Sequence, residues 1–269
     1  MLIVIALVAS YTVGAMRVGA RIRRGRSSFR VKIIAMACGL GVICGALLSP
    51  LHHLANQLLS AHMAQHLLVM LLAAPLLVLG RPIQVIVWSL PRRARHGFAT
   101  LWNKLRGLEA VRALLRPTAG WTFFCVTLIL WHVPPIYRWA ARDESRHLLM
   151  HASLLAASLL FWSIILAPAS RISLSYAAKA LFVLTAALIT GLPGALIAFA
   201  PRPLYSDLSD AALPFDLTPL ADQQLAGLIM WIPMDLFLFT VALVLCGFAI
   251  ARRTRTADPI TECATLASS

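Results

Sequence analysis

The feature that most constrains this chain is a series of long apolar stretches separated by polar connections. Seven of them, at about residues 2–16, 31–51, 62–79, 119–137, 147–167, 177–200 and 224–250, reach or approach the ~20 residues a helix needs to cross a hydrocarbon layer. In lipid every backbone N–H and C=O must be paired inside the protein, so helices are the form such runs take. Composition agrees, because 60% of the 269 residues are hydrophobic and only 13% charged, against about 45–50% and about 25% in soluble domains. The expected fold is all-α: a polytopic membrane helix bundle of about seven transmembrane helices. A single integral membrane domain is expected over residues 1–250, with a tail over 251–269.

The formal charge of +14 arises from 24 Lys and Arg against 10 acids. With seven spans, twenty of those 24 basic residues share one side: the run from Arg17 to Lys32, that from Arg81 to Arg116, Arg171, Lys179, and Arg252, Arg253 and Arg255 in the tail. The other side has Arg138, Arg142, Arg146 and Arg202 together with Asp143, Glu144, Asp207, Asp210, Asp216 and Asp222. The positive-inside rule then puts the N-terminus outside and the C-terminus in the cytoplasm. The basic excess is a topology signal, so the expected partner is membrane lipid and not nucleic acid.

In the first run the charges follow the apolar residues and no A-x-A cleavage site is evident, so a retained helix is expected. Residues 83–117 are too polar to cross. Phe98, Leu101, Trp102, Leu105 and Leu108 recur there at helical spacing among Arg and Lys, the pattern of an amphipathic helix on the cytoplasmic surface, with Trp88 near the headgroups. Cys38, Cys44, Cys125, Cys246 and Cys263 include no CxxC or CxC pair, so neither a disulfide framework nor a thiolate metal site is expected.

Histidine is where chemistry concentrates. Of eight histidines, His52, His53, His62, His66, His132, His147 and His151 fall at or near the outer ends of the expected helices, and only His96 on the cytoplasmic side. His62 and His66 are four apart, and His147 and His151 repeat the interval. Such residues share a helical face with Cβ atoms about 5–6 Å apart, and two imidazoles on one face can bind one metal ion. A facing pair on another helix would complete four nitrogen ligands. His132 sits at similar depth, in Trp131-His132-Val133-Pro134-Pro135. His52 and His53 point about 100° apart, so one of them faces a common site. Met63 and Met150 adjoin the pairs, and thioethers beside imidazoles lean toward copper. Helical neighbours point elsewhere, however, so the methionines weigh little.

Asp222 opens the last run and is placed to orient a ligand from behind, while Asp235 lies some 20 Å deeper along the helix. An intramembrane carboxylate is costly and therefore a functional candidate, with a protonated or internally paired structural acid as the equal alternative. Neither His-x3-His pair contains the glutamate of an H-E-x-x-H hydrolase, and no G-x-S-x-G elbow or phosphate-cradling loop is present.

Taken in order, Ala61-His62-Met63-Ala64-Gln65-His66 through Ala74-Pro75-Leu76-Leu77-Val78-Leu79-Gly80-Arg81-Pro82, then Trp131-His132-Val133-Pro134 with His147 and His151, then Asp222-Gln223-Gln224-Leu225-Ala226-Gly227 with Met230-Trp231, resemble the multi-span CtaG group of caa3-type cytochrome c oxidase assembly factors. The resemblance covers roughly residues 50–250. It implies a protein of the bacterial plasma (inner) membrane that helps produce active haem-copper oxidase, through copper supply or maturation of its metal centres, with oxidase subunits as partners and no catalysed reaction. His62, His66, His132, His147, His151 and Asp222 fall on its motifs, His52 and His53 match more loosely, and the resemblance does not carry over to Asp235. An unrelated assembly family with the same name uses a copper-binding C-x-C, which this chain lacks.

The expectation is thus copper held by His62, His66, His147 and His151, with His132 as a fifth ligand, and exchanged with a periplasmic or extracellular donor and an oxidase acceptor. Two alternatives remain open: a membrane cytochrome with axial histidines on haem, or a metal or proton transporter using the histidines and Asp235. Histidines bunched on one side disfavour a two-haem path across the bilayer.

Overall fold

Where the sequence is continuously apolar the backbone closes its hydrogen bonds within helices, and no strand occurs among the described residues. The computed structural model describes residues 2–20, 26–109, 113, 116–166, 174–205 and 214–266. Arg21, Arg23, Arg24, Arg112, Arg171, Asp207 and Asp210, which contribute to the charge asymmetry, lie outside them. The helices are α1 (Leu2–Gly19), α2 (Arg26–Leu47), α3 (Pro50–Ala55), α4 (Leu59–Leu67), α5 (Ala74–Gly80), α6 (Pro82–Ser89), α7 (Arg92–Gly107), α8 (Pro117–Trp131), α9 (Pro134–Ala141), α10 (Glu144–Leu166), α11 (Tyr176–Ala198) and α12 (Pro219–Leu266). A π-helical turn, Leu68–Ala73, joins α4 to α5.

Among the described residues five continuous segments are long and apolar enough to cross a membrane: Arg26–Leu47, Leu59–Gly80, Glu144–Leu166, Tyr176–Ala198 and Pro219–Thr254. The run expected to cross as one helix over 119–137 does not. It divides into α8 and α9, bent by 77°, and becomes a sixth span only if the bent pair is counted as one. The cause is local, since Pro134 and Pro135 offer no N–H to continue the helix, and Val133, restricted by the proline after it, is extended at φ −71°, ψ 123°. The run at 2–16 forms α1, but the side chains of residues 1–8 lie outside the described set.

The chain forms two compact units, Met1–Leu166 and Ala167–Ser269. Within the first, α1 packs on α6 and α2 on α5, while α10 packs on both α8 and α5. Tyr11, Phe29, Met36, Leu77 and Val85 form one of its apolar centres. The amphipathic stretch at 83–117 contains α6 and α7, and α7 leaves Phe98, Leu101, Trp102 and Leu105 exposed. In the second unit α11 and α12 run together at close range. A Cβ on Gly227 would come within 2.4 Å of the Ala198 nitrogen, the small-residue contact by which helices associate in lipid. Leu181, Leu184, Leu188, Leu192 and Leu196 form an exposed stripe along α11, while Lys179, counted above with a connection, is buried in its first turn. Helix α12 continues past residue 250 to Leu266.

The π turn decides how the first histidine helix meets the second. Pro75 cannot donate a hydrogen bond, and in the π register the Ala74 N–H reaches the Val69 carbonyl. The carbonyl of Met70 would then pair with the N–H that Pro75 lacks. The Trp162 indole N–H of α10 takes that carbonyl instead, at 2.9 Å, with Trp162 buried. This bond fixes α10 beside the α4–α5 span. Trp162→Phe, which leaves the Met70 oxygen unpaired in an apolar layer, is expected to cost about 1 kcal/mol, read by unfolding in mixed detergent micelles. Trp139→Phe, at an exposed ring, is expected to change stability little.

Candidate metal centre

Three of the elements that present histidines, α3, α8 and α10, have an end fixed by a local device. Ser49 caps α3 by accepting the Leu51 N–H at 3.1 Å. Asp143 caps α10 by accepting the Arg146 N–H at 3.0 Å, so the helix starts at Glu144 and His147 and His151 fall on its first two turns. The break at Pro134 ends α8 at His132, and Trp131 ties that end to α10 by donating its indole N–H to Ser153 Oγ at 2.8 Å.

These constraints bring five imidazoles into one connected group. The ring centroids of His62 and His66 are 4.4 Å apart, those of His147 and His151 4.6 Å. Between the pairs, His62 lies 5.1 Å from His147 and 5.4 Å from His151, and His66 lies 4.8 Å from His151. His132 joins through His66 at 5.9 Å. One nitrogen from each of His62, His147 and His151 lies within 4.8 Å of the others. An ion at about 2.0–2.1 Å from each nitrogen needs them about 3.4 Å apart, so the rings would draw in by at most about 1.4 Å.

The hydrogen bonds distinguish which nitrogens carry protons. His132 Nδ1 lies 2.7 Å from the Leu128 carbonyl, and His151 Nδ1 lies 3.2 Å from the His147 carbonyl. A carbonyl only accepts, so Nδ1 is the N–H in both rings and, in the neutral imidazole, Nε2 presents a lone pair. Backbone carbonyls fix metal-binding histidines in the same way elsewhere. His62 Nε2, His151 Nε2 and both ring nitrogens of His66 are buried with no hydrogen-bond partner among the described residues. Buried polar atoms are nearly always paired. A cation bound through one nitrogen of each ring would satisfy His62 Nε2, His151 Nε2 and one nitrogen of His66, whose other nitrogen carries the proton in the neutral imidazole, so the residues fit a metal ion.

The remaining candidates divide. His52 is half-buried, receives a hydrogen bond on Nδ1 from Gln65 Nε2 at 3.4 Å, and is close enough to His62, His147 and His151 to interact electrostatically. His53 is exposed and pairs with Gln57 at 3.0 Å. Asp222 and Asp235 belong to the second unit. Asp222 is buried at the start of α12, and its neighbour Gln223 accepts the Leu204 N–H at 2.5 Å and donates to the Arg202 carbonyl at 3.4 Å. That second residue of the Asp-Gln-Gln motif thereby anchors the 201–205 loop. Asp235 Oδ2 accepts the Trp231 indole N–H at 2.9 Å against Gly191, and its Oδ1 is buried without a hydrogen-bond partner among the described residues.

Three neighbours of the cluster escape a reading by spacing. Tyr137 on α9 sets its ring 5.5 Å from that of His62. Gln65 bridges from the cluster to α2 by donating to the Ala46 carbonyl at 2.6 Å. The buried Met63 puts its sulfur 3.3 Å from His132 Nε2. The tautomers are directly measurable: nitrogen NMR on histidine-labelled protein in detergent is expected to find His132 and His151 with the proton on Nδ1. A proton on Nε2 of either would contradict the hydrogen bonding described here.

The chain matches a known family over most of its length, residues 9–251, under the description cytochrome c oxidase caa3 assembly factor. No curated protein and no solved structure matches it. That span takes in every histidine of the cluster and both aspartates, and the chain belongs to the caa3-type cytochrome c oxidase assembly factor family.

Proposed function

We propose that this assembly factor serves a haem-copper oxidase by holding copper in the histidine cluster and passing it on toward the oxidase's metal centres. The observation that carries the reading is the set of buried imidazole nitrogens without partners at His62, His66 and His151, on helices held together by dedicated hydrogen bonds. Copper supplies no bond-making chemistry in this role and is cargo. The chain's own residues supply the lone pairs of His62, His66, His132, His147 and His151, and the Leu128 and His147 carbonyls hold two of those rings in the tautomer that keeps Nε2 available. Tyr137 and Met63 enclose the cluster. His52 supports it from the side through Gln65.

With α1 and the bent pair α8–α9 each counted as a crossing beside the five continuous spans, the charge asymmetry supports a topology with the N-terminus outside the bacterial plasma membrane, the C-terminus in the cytoplasm and the cluster near the outer surface. There a soluble periplasmic or extracellular donor and an oxidase subunit could both reach it. Clustering near helix ends favours exchange with such partners over a path across the bilayer, and nothing comparable lines the rest of the spans among the described residues.

The test is metal content and absorption of detergent-purified protein after copper loading, with and without His62, His66, His147 and His151 replaced by Ala. Wild type is expected to retain at least one copper per chain with no Soret band, and the fourfold variant less than a tenth of that while eluting as the same species on gel filtration. A Soret band would favour a haem protein, and copper absent from loaded wild type would overturn the reading.

A further inference from the structure

The cluster is not uniform in chemical character. On one side, His62, His147 and His151 offer three nitrogens. On the other, the sulfur of Met63 lies against His132 Nε2 at 3.3 Å, with Met63 only 2% exposed and His132 6%. That contact cannot be an N–H···S hydrogen bond in the neutral ring, because the single ring proton is on Nδ1, given to the Leu128 carbonyl at 2.7 Å. Two electron-pair donors therefore face one another in a buried place. His66, 5.9 Å away in ring centroids and with both nitrogens lacking a hydrogen-bond partner among the described residues, lies next to them.

We infer that Met63, His132 and His66 form a second metal subsite, softer than the three-histidine one and selective for Cu(I). The inference deepens the copper reading and rests on it. With metal–nitrogen and metal–sulfur distances of about 2.0 and 2.3 Å, a separation of 3.3 Å corresponds to an N–metal–S angle of about 100°, so these two donors already stand as they would on one ion. A thioether is a soft, neutral ligand that favours Cu(I), whereas the three-nitrogen group suits Zn(II) or Cu(II) as well. His132 Nε2 has no proton to release, so this site takes up the ion without coupled deprotonation at that atom. Because His66 touches the rings of both His62 and His151, it lies between the two subsites and gives a cuprous ion a way from one to the other.

The spacing of the sequence does not show this site, since Met63 neighbours His62 on one helix and reaches a histidine on another. The experiment compares wild type with Met63→Leu, a near-isosteric change of the kind cores tolerate, by titrating detergent-purified protein with Cu(I) against a chromophoric Cu(I) chelator and, separately, with Zn(II). Wild type is expected to take two equivalents of Cu(I), Met63→Leu one, with Zn(II) binding equal in both. X-ray absorption of Cu(I)-loaded wild type, which depends on no variant, is expected to contain a copper–sulfur shell. If Met63→Leu binds Cu(I) like wild type, or the sulfur shell is missing, the subsite is wrong and the histidine site stands. If wild type binds no copper at all, both readings fail together.

Discussion

A polar group in an apolar layer has no water to turn to, and that constraint shapes each noteworthy contact in this protein. The Met70 carbonyl, freed where Pro75 forces a π turn, is taken up by Trp162. The indole of Trp131 finds Ser153, and the side chain of Gln223 pairs with the backbone at Arg202 and Leu204. Each bond also ties two segments together, so the need to satisfy polar groups fixes the positions of the helices that carry the histidines. The histidine cluster concentrates the exceptions to this economy among the described residues, with Asp235 Oδ1 a separate one in the second unit. His62 Nε2, His151 Nε2 and both nitrogens of His66 stay without hydrogen-bond partners among the described residues, as does Gln65 Oε1 beside them, and these unmet imidazole nitrogens are what the proposed metal site would use.

Much of this was legible from residue order. Apolar runs of sufficient length mark the helices because lipid leaves the backbone no alternative, and His-x3-His marks a shared face because a helix turns every 3.6 residues. That one of the adjacent His52 and His53 turns inward and the other outward follows from the same geometry. The bend at His132 was present in the sequence as Pro134-Pro135, yet the length of the apolar run outweighed it and the stretch read as one span. The π turn has only Pro75 to announce it, and a proline in a helix leads as readily to a kink. The division into two units depends on which helices pack together, and spacing along one helix carries no information on that. The place of Met63 was lost for the same reason: periodicity compares residues on one helix, whereas its sulfur meets a residue sixty-nine positions on.

Membership of the oxidase assembly family supplies the process in which the protein acts, and the cluster supplies the chemistry by which it could do so. The two are complementary. An assembly factor that handles a metal must hold it firmly enough to exclude water and adventitious ligands, and loosely enough to release it. Neutral imidazoles on separate helices, drawn together without a carboxylate among the described residues that form the group, offer such a compromise, because their hold depends on how closely α4, α8 and α10 are kept together. Partner docking that spreads those helices would weaken the site without any ligand being replaced.

The most direct test of this account is pulsed electron paramagnetic resonance on the Cu(II)-loaded protein in detergent. Coordination through the cluster predicts echo modulation from the distal nitrogens of two or more imidazoles, lost when His62, His147 and His151 are replaced together. A bound Cu(II) signal without imidazole modulation would place the metal elsewhere and contradict the central claim.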